Sequence, residues 1–376
     1  MRRVLRGVGT VLAILVITLA LDFVLTATLF AGIKRAMTGA AENHHVYRPV
    51  SYHHDLLPDV RTTRIWGNIL FPWATDRYGF RTGECAPGET EKTWKPIFVI
   101  GDSFTEGVGS TYEKSFVGLM ACDAARQKKA VWHLGVTSYS PTIYFRKIAA
   151  AVERLGVRPA EIFVFLDMSD IDDEANAYKP EGDIVYSVTS PKPPPKPPEP
   201  QPANQPPPAA KPSWPRLPPI DFGQFLENNF TSVRLAYDLY LLSTFSYRYS
   251  LDRPRARWSL DPALMEAWGK RGLEIAAANL DRIVAQCREW SCRLTLVVYP
   301  WPDNVAAGDR EGIQVRYWRD WSAGRGVRFI DGYAPFFRED AYASVRKHFI
   351  LGDVHFSEGG HRAIFEEVKK AVGGDW

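Results

Sequence analysis

The chain has 376 residues, 45% of them hydrophobic and 24% charged. That is ordinary for a globular protein and long enough for one large catalytic domain with additions. A formal net charge of +3, without a basic run or a motif of stacking aromatics, argues against a nucleic-acid partner.

The first predicted element is a membrane span. From Gly7 to Ile33 the sequence is apolar apart from threonine, glycine and Asp22. A helix needs about 20 such residues to cross the hydrocarbon layer, and the run exceeds the roughly 7–15-residue apolar core of a cleaved signal peptide. Residues 1–35 therefore read as an uncleaved signal anchor. Arg2, Arg3 and Arg6 precede the run, and Lys34 and Arg35 follow it. This bias favours a cytoplasmic N-terminus. The expected location is the inner (cytoplasmic) membrane in a single pass, with the remaining chain periplasmic or extracellular. A charged carboxylate at Asp22 would be costly within a span. It is read as protonated or near an interface, and no role is assigned to it.

Residues 36–90 read as a polar, irregular juxtamembrane lead-in. They hold His44–His45, His53–His54 and Asp76-Arg77-Tyr78-Gly79-Phe80-Arg81. Paired histidines can ligate metals, but no acidic or thiol partner stands at ligand spacing. A solvated linker is expected.

A catalytic domain is expected over 91–376. Ile97–Ile100 is a short apolar run ending at Gly101, read as a buried strand. Ser115 to Lys128 has helical spacing, and Ala130–Trp132 leads to a second strand end at Gly135. Pro141 opens a helix reaching about Leu155. Glu161–Leu166 is a third buried strand. Pro262 to Cys287 is helical, Leu294–Tyr299 and Val327–Ile330 are strands, and Gly360 to Val372 is a last helix. Strand–helix alternation with strands apolar on both sides predicts a parallel sheet covered on both faces.

Residues 190–219 hold more than half of the chain's prolines. They predict extended or disordered chain, inserted within the catalytic domain between its third and fourth strands. Phe225 to Tyr249 is aromatic-rich and reads as a helix serving as cap or core; a membrane-surface helix is the alternative. Of the four cysteines, Cys287 and Cys292 are the best pair, because a helix end and a strand start can bring them together.

Two local motifs carry the chemistry. Directly after the first buried strand comes Gly101-Asp102-Ser103-Phe104-Thr105-Glu106-Gly107. Glycine permits a tight turn there, which displays Ser103 at the carboxyl edge of the sheet, where open α/β folds bind ligands. A serine hydroxyl needs a base to act as nucleophile. Near the far end, Asp353-Val354-His355 offers an imidazole to take that proton and a carboxylate to hold its other nitrogen.

With these two blocks the chain resembles the SGNH hydrolase superfamily, the GDSL-type esterases and lipases, over roughly residues 96–372. The resemblance assigns Ser103 as nucleophile and Asp353 and His355 as its partners. It assigns a backbone oxyanion donor to Gly135, in His133-Leu134-Gly135-Val136-Thr137-Ser138-Tyr139-Ser140. It implies a three-layer α/β/α sandwich with about five parallel strands in flavodoxin-like order. The family's third block has an asparagine where Asp167-Met168-Ser169-Asp170 has Ser169. The oxyanion hole then rests on the N–H groups of Ser103 and Gly135, with Ser169 a candidate third donor. A lost donor costs about 2.7–4 kcal/mol in such holes. The second departure is that Asp353 stands two positions before His355, not three. That spacing resembles envelope O-acetyltransferases of the alginate type.

Other residues read as supporting. Asp102 is expected to point away from Ser103. Asp170, Asp172, Asp173 and Glu174 read as a solvated helix N-terminus rather than a metal site. His361 is expected to pack or cap, and His133 to be structural. Trp301 has two readings of equal weight, lining the site or packing. The expected function is serine-dependent hydrolysis of acyl esters on envelope glycans or lipids, with no cofactor and no metal. The alternatives are an O-acetyltransferase delivering the acyl group to a polysaccharide hydroxyl, a non-catalytic binding protein on the same scaffold, and a structural envelope protein using its Pro-rich loop.

Overall fold

Among the described residues, four strands precede the first strand of the expected domain. The computed structural model describes residues 2–30, 46–66, 69–188, 230, 254–373 and 376. His44–His45, the proline-rich 190–219 and, apart from Phe230, the aromatic stretch 225–249 lie outside the described residues. The chain divides into two units, Met1–Gly39 with Pro191–Ser243, and Ala40–Ser190 with Thr244–Trp376.

In the first unit an α-helix spans Arg2–Leu25 and continues as a π-turn over Thr26–Phe30. Its stretch Gly9–Thr28 has a mean hydropathy of 2.4 and is long and apolar enough to cross a membrane. Asp22 accepts a hydrogen bond from Thr26 Oγ1 at 3.4 Å, so a neighbouring hydroxyl partly satisfies the carboxyl. The rings of Phe23 and Phe230 lie 5.7 Å apart.

The second unit corrects the irregular lead-in. β1 (Tyr47–Val50) pairs with β2 (His53–Leu56), and β3 (Arg61–Trp66) with β4 (Ile69–Ala74), both antiparallel. His53 and His54 belong to β2 and are half-buried. They do not sit in a solvated linker: their Nδ1 atoms lie 2.6 Å apart, and His54 Nε2 lies 2.8 Å from the Thr137 carbonyl oxygen. The segment is polar because it carries buried ion pairs. Asp55 is fully buried between Lys147 and Arg154 of the helix Pro141–Leu155. This clamps the first hairpin to the domain.

The sheet follows. β5 (Lys95–Ile100), β6 (Lys129–His133) and β7 (Glu161–Leu166) come first. A small hairpin of β8 (Tyr178–Glu181) and β9 (Ile184–Ser187) lies outside the sheet. β10 (Arg293–Val298) and β11 (Arg328–Asp331) complete it. The order is β11-β10-β7-β5-β6, with every pairing parallel. Counting sheet strands alone, this is 2-1-3-4-5, the flavodoxin-like doubly wound order. β6 and β7 are buried at every position, as strands covered on both faces must be. The helix Pro141–Leu155 packs with Lys270–Trp290, and Phe116–Ala125 with Glu358–Ala371. These pairs supply the outer layers of the expected three-layer α/β/α sandwich. Disulfides join Cys287 to Cys292, as the sequence suggests, and Cys85 to Cys122, a pairing the sequence left open.

Candidate active site

The site grows from the end of β5. Gly101 has no room for a side chain, since a Cβ there would fall 2.0 Å from Thr105 Oγ1 and 2.8 Å from the Phe165 carbonyl oxygen. The chain then turns into a one-turn helix, Ser103–Glu106, which Asp102 caps by accepting from the Phe104 N–H at 3.0 Å. Ser103 is thus the first helical residue, and its amide is free of the helix's own ladder. Among the described residues neither the Ser103 nor the Gly135 N–H donates to a protein acceptor. Gly135 abuts the same turn: a Cβ on it would lie 2.6 Å from Thr105 Cγ2 and 3.0 Å from the Glu106 nitrogen.

Ser103 Oγ and His355 Nε2 lie 2.8 Å apart across 252 positions of sequence. His355 Nδ1 is hydrogen-bonded to Asp353 Oδ1, which also accepts from the His355 backbone N–H at 2.9 Å. Burial pushes the Asp353 carboxyl up, but the His355 hydrogen bond and charge and the Trp66 hydrogen bond outweigh it. The net result is an Asp353 carboxyl held below its ordinary range. Ser103 and His355 are each 8% exposed, largely buried but not sealed from solvent. The structure therefore brings Ser103, Asp353 and His355 together.

Ser169 opens the short helix Ser169–Asp172 after β7. Its hydroxyl and its amide both go to Asp167 Oδ1, at 2.8 and 2.6 Å, so that hydroxyl proton is already committed. Asp102 does not turn wholly away from Ser103: its Oδ2 lies 3.3 Å from Ser103 Oγ. Because Asp102 is the helix cap, its side chain folds back along the turn and does not alternate as it would in a strand.

The acidic run is a further correction. Asp170, Asp173 and Glu174 are buried, not solvated. Glu174 is satisfied by Ser140, Thr142 and Asn279. Asp173 is paired with Arg255 at 2.7 Å, yet burial lifts its carboxyl to about 7. Asp102, Asp167 and Asp170 offer oxygens within 4.8 Å of one another, a spacing that could hold a metal ion. Protein donors already occupy much of this cluster. Asp167 takes the Trp301 indole N–H at 2.9 Å, and Asp170 takes the Tyr144 hydroxyl at 2.8 Å. Burial, and then the Asp167 charge, hold the Asp102 and Asp170 carboxyls well above their ordinary range. Shared protons can thus relieve the crowding. Trp301 is a packing residue, buried over Asp167. His133 lies 2.8 Å from the Thr105 carbonyl oxygen, and His361 packs between Phe116 and Phe356.

The sequence reading missed three residues at this site. Arg64 forms a buried ion pair with Glu106. Arg81, fully buried, holds the carbonyls of Glu106, Gly107 and Ser110. Trp66 donates its indole N–H to Asp353 Oδ2 at 2.9 Å. One signal was present for the hairpin that carries two of them. Gly67-Asn68 between two runs rich in β-branched and aromatic residues is a hairpin signature.

No family model matches this chain, and no curated protein does. Among solved structures, the chain is similar to an alpha/beta hydrolase enzyme from the metagenome of Lake Arreo, Spain. The identity is 13% and the TM-score 0.39, over 78% of this chain and 99% of that one. It is similar to a GDSL-like lipase from Bacteroides thetaiotaomicron at 10% identity and TM-score 0.34, over 77% of this chain and 92% of that one. It is also similar to an acetylxylan esterase from Geobacillus stearothermophilus, at 13% identity and TM-score 0.37 over 74% and 94%. At these identities and TM-scores the likenesses carry no activity over to this chain.

Proposed function

We propose that this protein is a membrane-anchored serine hydrolase of the SGNH class, acting on acyl esters of envelope glycans or lipids. One observation carries the reading: the Ser103 hydroxyl within 2.8 Å of an imidazole whose far nitrogen is bound to Asp353. Ser103 Oγ attacks the ester carbonyl while His355 Nε2 takes its proton. Asp353 fixes the tautomer and stabilises the imidazolium. The free N–H groups of Ser103 and Gly135 stabilise the oxyanion. The carbonyl–alkoxy bond breaks, the leaving alkoxide takes the proton from His355, and an acyl-Ser103 ester remains. Water, deprotonated by His355, then releases the acid.

The apolar helix and two disulfides suit an exported, anchored chain in an oxidising compartment. A second reading is favoured by the two-residue spacing of Asp353 and His355. In it a polysaccharide hydroxyl replaces water, giving an O-acetyltransferase. The test is labelling by a fluorophosphonate probe. Wild type should label and Ser103→Ala should not; equal labelling would defeat the serine reading. An activated acetyl ester supplied with oligosaccharide acceptors separates the two enzymes. Acetylated oligosaccharide is the transferase result, and free acetate alone the hydrolase result.

A further inference from the structure

We infer that Trp66 is a positioning residue for the Asp353–His355 pair, supplied by a hairpin that lies outside the parallel sheet. The inference rests on the serine-hydrolase reading above. Asp353 has two oxygens with different partners. Oδ1 takes the backbone and ring nitrogens of His355, and Oδ2 takes the Trp66 indole N–H at 2.9 Å. With both oxygens held, the carboxylate cannot rotate about its bond to Cβ. A hydrogen bond to an ionised acceptor is also stronger than one between neutral groups.

The Trp66 ring stands edge-on to the imidazole, with centroids 4.8 Å apart and planes at 83°. The Phe104 ring lies 4.7 Å from the imidazole. His355 is therefore held by two rings and one carboxylate. Trp66 is itself anchored through its strand. Arg64, two residues earlier and so on the same face of β3, pairs with Glu106 of the nucleophile turn. Its guanidinium also lies 5.1 Å from the Trp73 ring. One strand thus grips the turn carrying Ser103 and the carboxylate serving His355, which are far apart in the sequence.

A packing role needs only the ring, whereas a positioning role needs the N–H. The detergent-solubilised full chain would be assayed for its fluorophosphonate labelling rate across pH, as wild type, Trp66→Phe, Asp353→Ala and the double variant. Trp66→Phe should label about tenfold more slowly at saturating pH, the scale of one hydrogen bond to a charged group. In the Asp353→Ala background the Trp66→Phe change should leave the labelling rate unaltered. A Trp66→Phe chain with the wild-type rate overturns the inference, as does an equal loss in the Asp353→Ala background, which marks a structural role. Wild type labelling no faster than Ser103→Ala would instead remove the serine reading, and this inference with it.

Discussion

At the scale of single residues the site has little slack. Gly135 touches Thr105 and the Glu106 nitrogen with no space for a methyl group. Gly135→Ala should therefore push its loop off the nucleophile turn and withdraw one oxyanion donor. We expect kcat for an activated acetyl ester to fall about 100-fold with KM little changed; an unaltered kcat would show that Gly135 lies outside the hole. Ser103, Asp353 and His355 were legible in the sequence because each lies in a short local motif beside a strand end or a helix start. Trp66 was not, because its partner is 287 positions away and nothing local marks an indole that serves a distant carboxylate. Ser169 was legible as a departure. What it does instead, donating to Asp167, depends on rotamers the sequence does not record.

At the scale of elements, the hairpin β3–β4 is fastened to the domain by a buried charge. Burial raises the Glu106 carboxyl, but Arg64, Thr137 and Arg81 more than compensate and hold it below its ordinary range. Arg64→Ala would leave that carboxylate buried and short of its main partner. The expected cost is about 3 kcal/mol, read as a lower urea midpoint with an unchanged slope; a loss under about 1 kcal/mol would mean that Thr137 and Arg81 suffice. The sheet strands and the helix Pro141–Leu155 were legible because apolar runs, a first-turn proline and a glycine terminator all agreed there. The hairpins over residues 47–74 were not. In the sequence the segment looks like a polar, solvated linker, whereas Asp55 and Arg64 are buried against ion partners. Burial of a paired charge leaves no hydropathy signal.

At the scale of the whole molecule, the buried carboxylates tie stability to pH. The folded chain keeps the Asp170 proton to a higher pH than the unfolded chain, because burial and the Asp167 and Asp102 charges raise it. Above the ordinary carboxylate value of 3.8, the native state therefore binds more protons than the unfolded one. Stability falls as pH rises through that window, by up to about 1.4 kcal/mol per pH unit for this group. Asp170→Asn can still accept from Tyr144 and can donate an amide to its acidic neighbours. It should flatten the fall in unfolding free energy between pH 5 and 8 in urea titrations; an unchanged slope would mean that Asp170 is ionised in the native chain. The same topology that crowds these carboxylates also brings Ser103 and His355 within 2.8 Å of each other.

The most direct measurement of that meeting is peptide mapping by mass spectrometry after fluorophosphonate treatment of wild type and His355→Ala. The account predicts a single phosphonyl adduct on Ser103 in wild type and its near absence in His355→Ala. An adduct on another residue, or equal modification of Ser103 without the imidazole, would contradict it.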